Sequence, residues 1–296
     1  MSHTLVFVAP SDNKPAYREA LMLLGRVAFA RKLPPPEVLS GWESAQWVYE
    51  RVDDELRDEA KAAVGDLPVD WALLPLAGRR KKLLVADMDS TIINVECLDE
   101  MADFAGIKAE ISAITERAMK GALAFESALI ERVSRLEGLA LSALQRCYDE
   151  RVQLNPGAAT LVHTMARHGR RCVLVSGGFT FFTSRVAQTA GFHADRANLL
   201  LDDGAALTGK VQEPILGRAA KLETLQREAS ALGVSPADAL AIGDGANDLD
   251  MIKAAGLGLA YRAKPIVAAQ AHACIDHTSL ETALFFQGYK RTEFAA

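Results

Sequence analysis

The chain has 296 residues, half of them apolar and 24% charged, which is enough length and apolar surface to bury a sizeable core and excludes disorder as its general state. At ~150 residues per domain, two domains are expected. A net charge of −5 gives no sign of the basic face with which nucleic-acid binders neutralise phosphates, so no nucleic-acid partner is expected.

The N-terminus, MSHTLVFVAPSDNK, has no basic n-region, and its apolar run is too short for a signal peptide. Thr4–Val8 is β-rich, Tyr17–Ala30 is helical, Ala45–Val52 is strand-like, Asp53–Val64 is helical up to Gly65, and Val69–Pro75 is an apolar strand. The order β-α-β-α-β, with room for a further strand near Pro34-Pro35-Pro36, predicts a small ferredoxin-like α+β module over residues 1–78. Gly78 and the four cations Arg79, Arg80, Lys81 and Lys82 predict a linker.

From Leu83 short apolar runs alternate with helical stretches. LLVAD (83–87), RCVLVSGG (171–178), ALAIG (239–243) and LGLAY (257–261) read as strands. Leu98–Val152 carries helical signal and no strand, so it reads as a helical cap inserted at about residues 95–152. Asn155 is expected to cap a helix with Pro156 at its first position, ending at Gly169. Further helices are predicted from Phe179 to Ala190 with Gly191 as the stop, from Gly217 to Leu232, and from Ala246 to Ala255. Ala197–Leu201, Asp202-Asp203-Gly204 and Leu207–Val211 read as a β-hairpin. Continuously apolar strands separated by helices predict an α/β parallel sheet covered on both faces. The longest stretch without a charge, Val152–Ala166, contains Gln153, Asn155, Pro156 and His163, whereas a membrane-spanning helix needs ~20 mostly apolar residues. No membrane partner is expected.

Three polar clusters fall where strands end, the place where open α/β sheets bind ligands. Asp87-Met88-Asp89-Ser90-Thr91 sets two carboxylates at i and i+2, able to share a metal or to divide nucleophile and acid roles; they also suit an ordinary strand-to-turn transition. Ser176-Gly177-Gly178 offers a hydroxyl and backbone N–H groups to an anion, or is a tight turn that needs glycine. Gly243-Asp244-Gly245-Ala246-Asn247-Asp248 offers Asp244 and Asp248 to a hard cation, or is a turn built of the residues turns favour. Lys221 accompanies a stripe of Leu222, Leu225, Ala229 and Leu232, and alone it reads as a surface lysine. In the cap, Phe125, Leu129, Arg132 and Leu136 share one helical face. An arginine in an apolar stripe asks for an anion such as a bidentate carboxylate, unless it snorkels to Glu126 or Glu131. The four cysteines form no CxxC pair and the six histidines no ligand spacing, which favours reduced thiols in a cytoplasmic protein. Cys172 and Cys274 read as core thiols, His163 and His168 as helix-surface residues.

Taken in order, DMDST, SGG, a lysine and GDGAND resemble the haloacid dehalogenase (HAD) superfamily of phosphotransferases over about residues 80–290. Within it, DMDSTIINVE, the helical insertion, SGGF and GDGANDLDMI are similar to the phosphoserine phosphatase family. The resemblance implies a HAD-like Rossmannoid parallel sheet with a helical cap over residues 79–296, behind a ferredoxin- or ACT-like module over 1–78. It implies hydrolysis of phosphoserine, the last step of serine biosynthesis. Mg²⁺ would be held by the Asp87 side chain, the Asp89 carbonyl and Asp244, with Asp248 supporting that shell or orienting Lys221. Asp87 would be the nucleophile and Asp89 the acid and base, for which its pKa of ~3.9 must rise. Ser176, Lys221 and N–H groups near Gly177 would take the phosphoryl oxygens, and Asn247 would touch substrate or phosphate. Glu96 and Arg132 would receive the ammonium and carboxylate, and Phe125 would wall the pocket.

Two other readings stay open here. One keeps the chemistry but acts on another small phosphomonoester, or passes the phosphoryl group to an alcohol such as homoserine. The other is a non-catalytic amino-acid sensor, against which the intact set of Asp87, Asp89, Ser176, Lys221, Asp244 and Asp248 argues. The ACT-like resemblance is one of outline. The first loop, Ala9 to Pro15, lacks the glycine with which such modules bind amino acids, so a homodimer through this module or a structural role is expected at least as much as serine sensing.

Overall fold

The computed structural model describes residues 2–53, 55–119 and 124–295; Asp54 of the expected second helix and residues 120–123 of the expected cap lie outside the described residues. The N-terminal module comprises β1 (His3–Val8), α1 (Lys14–Ala30), β2 (Glu37–Ser40), β3 (Ser44–Tyr49), α2 (Glu55–Val64) and β4 (Asp70–Pro75). Its antiparallel sheet has the order β2-β3-β1-β4, the ferredoxin-like arrangement. β2 is the strand for which the prolines left room, and it begins directly after Pro36 because proline cannot donate into a ladder. α1 starts at Lys14 rather than Tyr17, because the Asn13 side chain accepts from the Ala16 N–H and caps it.

The larger sheet follows from β5 (Leu83–Ala86). The chain then leaves for a cap of α3 (Cys97–Phe104), α4 (Lys108–Met119), α5 (Phe125–Ser134) and α6 (Leu141–Arg151). It returns through α7 (Ala158–Arg167), β6 (Arg171–Phe179), α8 (Thr180–Ala190) and β7 (Ala194–Asn198), then a hairpin of β8 (Leu200–Asp202) and β9 (Leu207–Val211). The remainder is α9 (Arg218–Ala231), β10 (Ala239–Gly243), α10 (Leu249–Ala254), β11 (Leu257–Tyr261), α11 (Pro265–Ala268), β12 (Ala273–Ile275) and α12 (Thr282–Phe286). The six parallel strands have the order β12-β11-β10-β5-β6-β7. Alternate residues serve opposite faces. Leu84, Leu174 and Ile242 pack under α7 and α8, whereas Val85, Val173 and Ala241 pack with Leu225 of α9 and Ile252 of α10. The chain winds outward from β5 through β6 and then crosses back to β10, so the strand order reverses beside β5 and opens a crevice at the strands' carboxyl ends.

Four expectations need correction. α7 starts at Ala158, not Pro156; Gly157 adopts φ +81, and its missing Cβ makes room for the Glu281 backbone N, which a Cβ would approach to 2.7 Å. Asn155 therefore caps nothing, and its side chain bonds elsewhere. The hairpin begins at Leu200, because Ala194–Asn198 pairs with β6 as the last strand of the sheet. Leu232, just past the end of α9, is exposed, and Lys221 on α9 is buried, since two aspartates draw the lysine inward. Cys172 is buried as expected, but Cys274 is only half-buried.

The predicted linker is not a free tether either. The second face of the N-terminal sheet, with Val6, Val8, Ala72 and Leu74, shares one core with Leu284, Phe285 and Phe286 of α12. Arg79 is buried. Its Nε and Nη2 donate to the Phe286 and Phe285 carbonyls at 2.6 and 2.9 Å, and its Nη1 donates to Gln46 Oε1 at 2.6 Å. Asp70 of β4 accepts from the Asp276 and Thr278 amides, each at 2.9 Å. A glycine and four cations in a row predict a linker, but the carbonyls at the end of α12 give the Arg79 guanidinium acceptors. Among the described residues no helix is long and apolar enough to cross a membrane.

Candidate active site

Asp87 extends β5, its N–H bonded to the Ile242 carbonyl of β10 at 3.0 Å, so its side chain emerges beside the loop that follows β10. The carboxylates of Asp87, Asp244 and Asp248 bring oxygens within 4.8 Å of one another. Lys221 Nζ lies 2.7 Å from Asp87 Oδ1 and 2.5 Å from Asp248 Oδ1. A Cβ at Gly243 would overlap the Asp248 carboxylate, so glycine is required there. Burial and the Asp248 charge raise the Asp87 carboxyl well above its ordinary range, with Lys221 pulling the other way. Burial and Asp248 raise Asp244 too. Burial alone would lower Lys221, but Asp248 and Asp87 together hold it above its ordinary value. Three carboxylates against one ammonium leave negative charge uncompensated on an all-oxygen donor set, which fits a hard divalent cation. The Met88 amide at 2.8 Å and Lys221 both reach Asp87 Oδ1, which leaves Oδ2 for a ligand.

Asp89 lies on the turn that follows. Its Oδ1 accepts from the Cys97 amide and its Oδ2 from Ser176 Oγ, each at 2.9 Å. Ser90 adopts φ +53, a left-handed conformation uncommon for serine, and donates to Glu96 Oε1 at 2.7 Å. Thr91 Oγ1 lies 3.4 Å from Asp244 Oδ1. On β6, the Gly178 amide donates to Ser176 Oγ at 2.8 Å, and a Cβ on Gly178 would come within 3.1 Å of Asp89 Oδ2.

These groups floor a cavity of about 450 Å³ roofed by the cap. At the floor it is lined by Asp87, Asp89, Ser176, Gly177, Asp244 and Asn247. Under the roof it is lined by Glu96, Phe125, Leu129 and Arg132. The Phe125 ring covers Gly177, where a Cβ would stand 3.2 Å from its Cζ. Lys221 and Asp248 stand behind the floor rather than on the cavity surface. The Arg132 Nε donates to the Ala128 carbonyl at 3.2 Å, and among the described residues no carboxylate comes within ion-pair distance of its guanidinium. Burial lowers the Arg132 pKa against the opposing pull of Asp99 and Glu96. Glu96 is pushed up to about 7 by desolvation under the cap and by the Asp89 charge. Among the lining residues to which motif reading gave no role are Ser90, Asp99, Thr115 and Lys264. Lys264 had a legible signal, since it closely follows the LGLAY strand at the sheet's carboxyl edge; Asp99 and Thr115 depend on how cap helices fold over the sheet.

The haloacid dehalogenase-like hydrolase family model matches residues 84–253. A phosphoserine phosphatase of Polaromonas sp. is 45% identical over 208 residues, 69% of this chain and 88% of that protein. The solved structure of a probable phosphoserine phosphatase from Vibrio cholerae, unliganded, aligns with a TM-score of 0.78 at 29% identity, covering 98% of this chain and 88% of that one. A phosphoserine phosphatase solved as a phospho-aspartyl intermediate analogue aligns with a TM-score of 0.64 at 37% identity, covering 70% of this chain and 99% of that one. The chain belongs to the haloacid dehalogenase-like hydrolases and, within them, to the phosphoserine phosphatase family.

Proposed function

We propose that the chain hydrolyses O-phospho-L-serine to L-serine and inorganic phosphate through a phosphorylated Asp87. The carrying observation is one cavity with an aspartate pair and a serine–glycine cradle at its floor, and Arg132 and Glu96 under its roof. It matches a small molecule with phosphate at one end and a carboxylate and an ammonium at the other. A relative captured as a phospho-aspartyl intermediate analogue supports the covalent route. The division into a module over 1–78 and a catalytic body over 79–296 belongs to this reading, with the module structural.

Mg²⁺ would be held by Asp87, the Asp89 carbonyl and Asp244, supported by Asp248; when bound it supplies charge neutralisation at the phosphoryl group and favours ionised Asp87. Asp87 Oδ2 attacks phosphorus in line, the bond to the serine oxygen breaks, and Asp89 gives that oxygen its proton. Ser176 turns from Asp89 to the phosphoryl oxygens, joined by the Gly177 N–H, and Asn247 touches the substrate or its phosphate from the floor. Lys221 holds Asp87 in line from behind. Asp89 then takes a proton from water, the water oxygen attacks phosphorus, and Asp87 leaves as a carboxylate. Arg132 pairs with the substrate carboxylate and Glu96 with its ammonium, while Phe125 excludes water.

Phosphate release from phosphoserine with Mg²⁺ tests this; release no greater than in an EDTA control ends it. The R132A variant separates phosphoserine from other phosphomonoesters as the substrate. A lost charge-assisted pair costs about 1.5–3 kcal/mol, so kcat/KM should fall about tenfold to a hundredfold for phosphoserine and little for phosphoethanolamine, which has no carboxylate.

A further inference from the structure

We propose that Asn155 is a positioning residue for the turn that carries Asp89, an inference that rests on the catalytic reading of that turn. One residue takes three successive carbonyls. Asn155 Nδ2 donates to Thr91 O at 2.8 Å and Ile93 O at 2.9 Å, and its backbone N–H donates to Ile92 O at 2.8 Å. Beside it, the Asn94 N–H donates to Gln153 O at 3.1 Å, the Gln153 N–H returns to Asn94 Oδ1 at 2.8 Å, and Ile93 bridges Leu154. The outgoing and returning connections of the cap are thus zipped to each other and to the turn.

The turn needs such a fastening. It is neither helix nor strand at Asp89 and Ser90, and Ser90 holds φ +53. Backbone strain of this kind persists only where the surroundings over-determine it. Without the Asn155 amide, the Thr91 and Ile93 carbonyls would lose their donor in a partly buried setting. Thr91 is fully buried and reaches Asp244, and Asp89 lies on the same turn, so a relaxed turn displaces the acid and disturbs the acidic cluster together.

The N155D variant separates this role from the helix cap that the sequence suggested. Aspartate is as good an N-cap as asparagine and equal in size, but its ionised side chain has no donor for either carbonyl. The expected result is a kcat on phosphoserine lower by about tenfold to a hundredfold, with KM changed by less than about threefold. Amide hydrogen exchange in the peptide spanning residues 88–95 should be faster at equal folded fraction. Wild-type kcat and wild-type exchange would overturn the proposal, as would an activity loss that merely tracks the loss of folded protein. N155S, with one hydroxyl donor, should lie between the two and carries the test if N155D does not fold. If the wild-type chain releases no phosphate from phosphoserine, the functional reading fails, and the exchange rate alone decides: faster supports the positioning role, unchanged ends it.

Discussion

Lys221 stands between two carboxylates with almost no access to solvent, so its ammonium governs both the charge and the packing of the site floor. Removing one partner of a buried ion pair leaves the others uncompensated, at a cost of about 3–5 kcal/mol. K221M should therefore unfold at markedly lower denaturant, beyond any loss of turnover; an unchanged midpoint would show that Asp87 and Asp248 have another cation. Glu96 sets a pH dependence. Its pKa of about 7 keeps it largely neutral at pH 6, while the substrate ammonium is charged throughout. In the proposed pairing of Glu96 with the substrate ammonium, the ammonium gains its partner as pH rises, so kcat/KM should be about tenfold lower at pH 6 than at pH 8 from this group alone. The substrate phosphate titrates in the same region, so the comparison is with E96Q, whose profile should lack the Glu96 contribution.

At the scale of elements, the β8–β9 hairpin buttresses α5, the helix that carries Arg132. Gly209 adopts φ +69, and a Cβ there would stand 2.9 Å from the Glu137 Cβ and 3.2 Å from the Ser134 carbonyl. A valine at this position must move one element, so G209V should cost about 1–3 kcal/mol of stability and raise KM for phosphoserine; unchanged KM in a folded variant would uncouple hairpin from cap. Much of this architecture could be read from sequence. The strands 83–86, 239–243 and 257–261 are continuously apolar because both faces are covered, and the acidic motifs follow the first two. What escaped reading depends on distant partners. Asn155 and Pro156 look like a helix start, but the chain there is paired with residues 91–94 and with Leu280. Lys221 looks like a surface lysine until Asp87 and Asp248 are beside it. β2 is short, follows three prolines, and exists because β3 offers an edge.

For the whole molecule, the decisive contact is between the N-terminal sheet and α12. Deleting residues 1–78 would uncover the apolar face of Leu284, Phe285 and Phe286 and leave the amides of Asp276 and Thr278 without Asp70. The truncated chain should be less stable by several kcal/mol and prone to aggregate, a result light scattering and thermal melting would register; a truncation that melts like the full chain would make the module dispensable. Each sheet has a hydrophobic cluster of its own, but a third cluster is shared between them across α12, so their folding free energies are coupled. The protein should lose structure in a single cooperative step, its calorimetric and van't Hoff enthalpies agreeing, despite its two separate sheets.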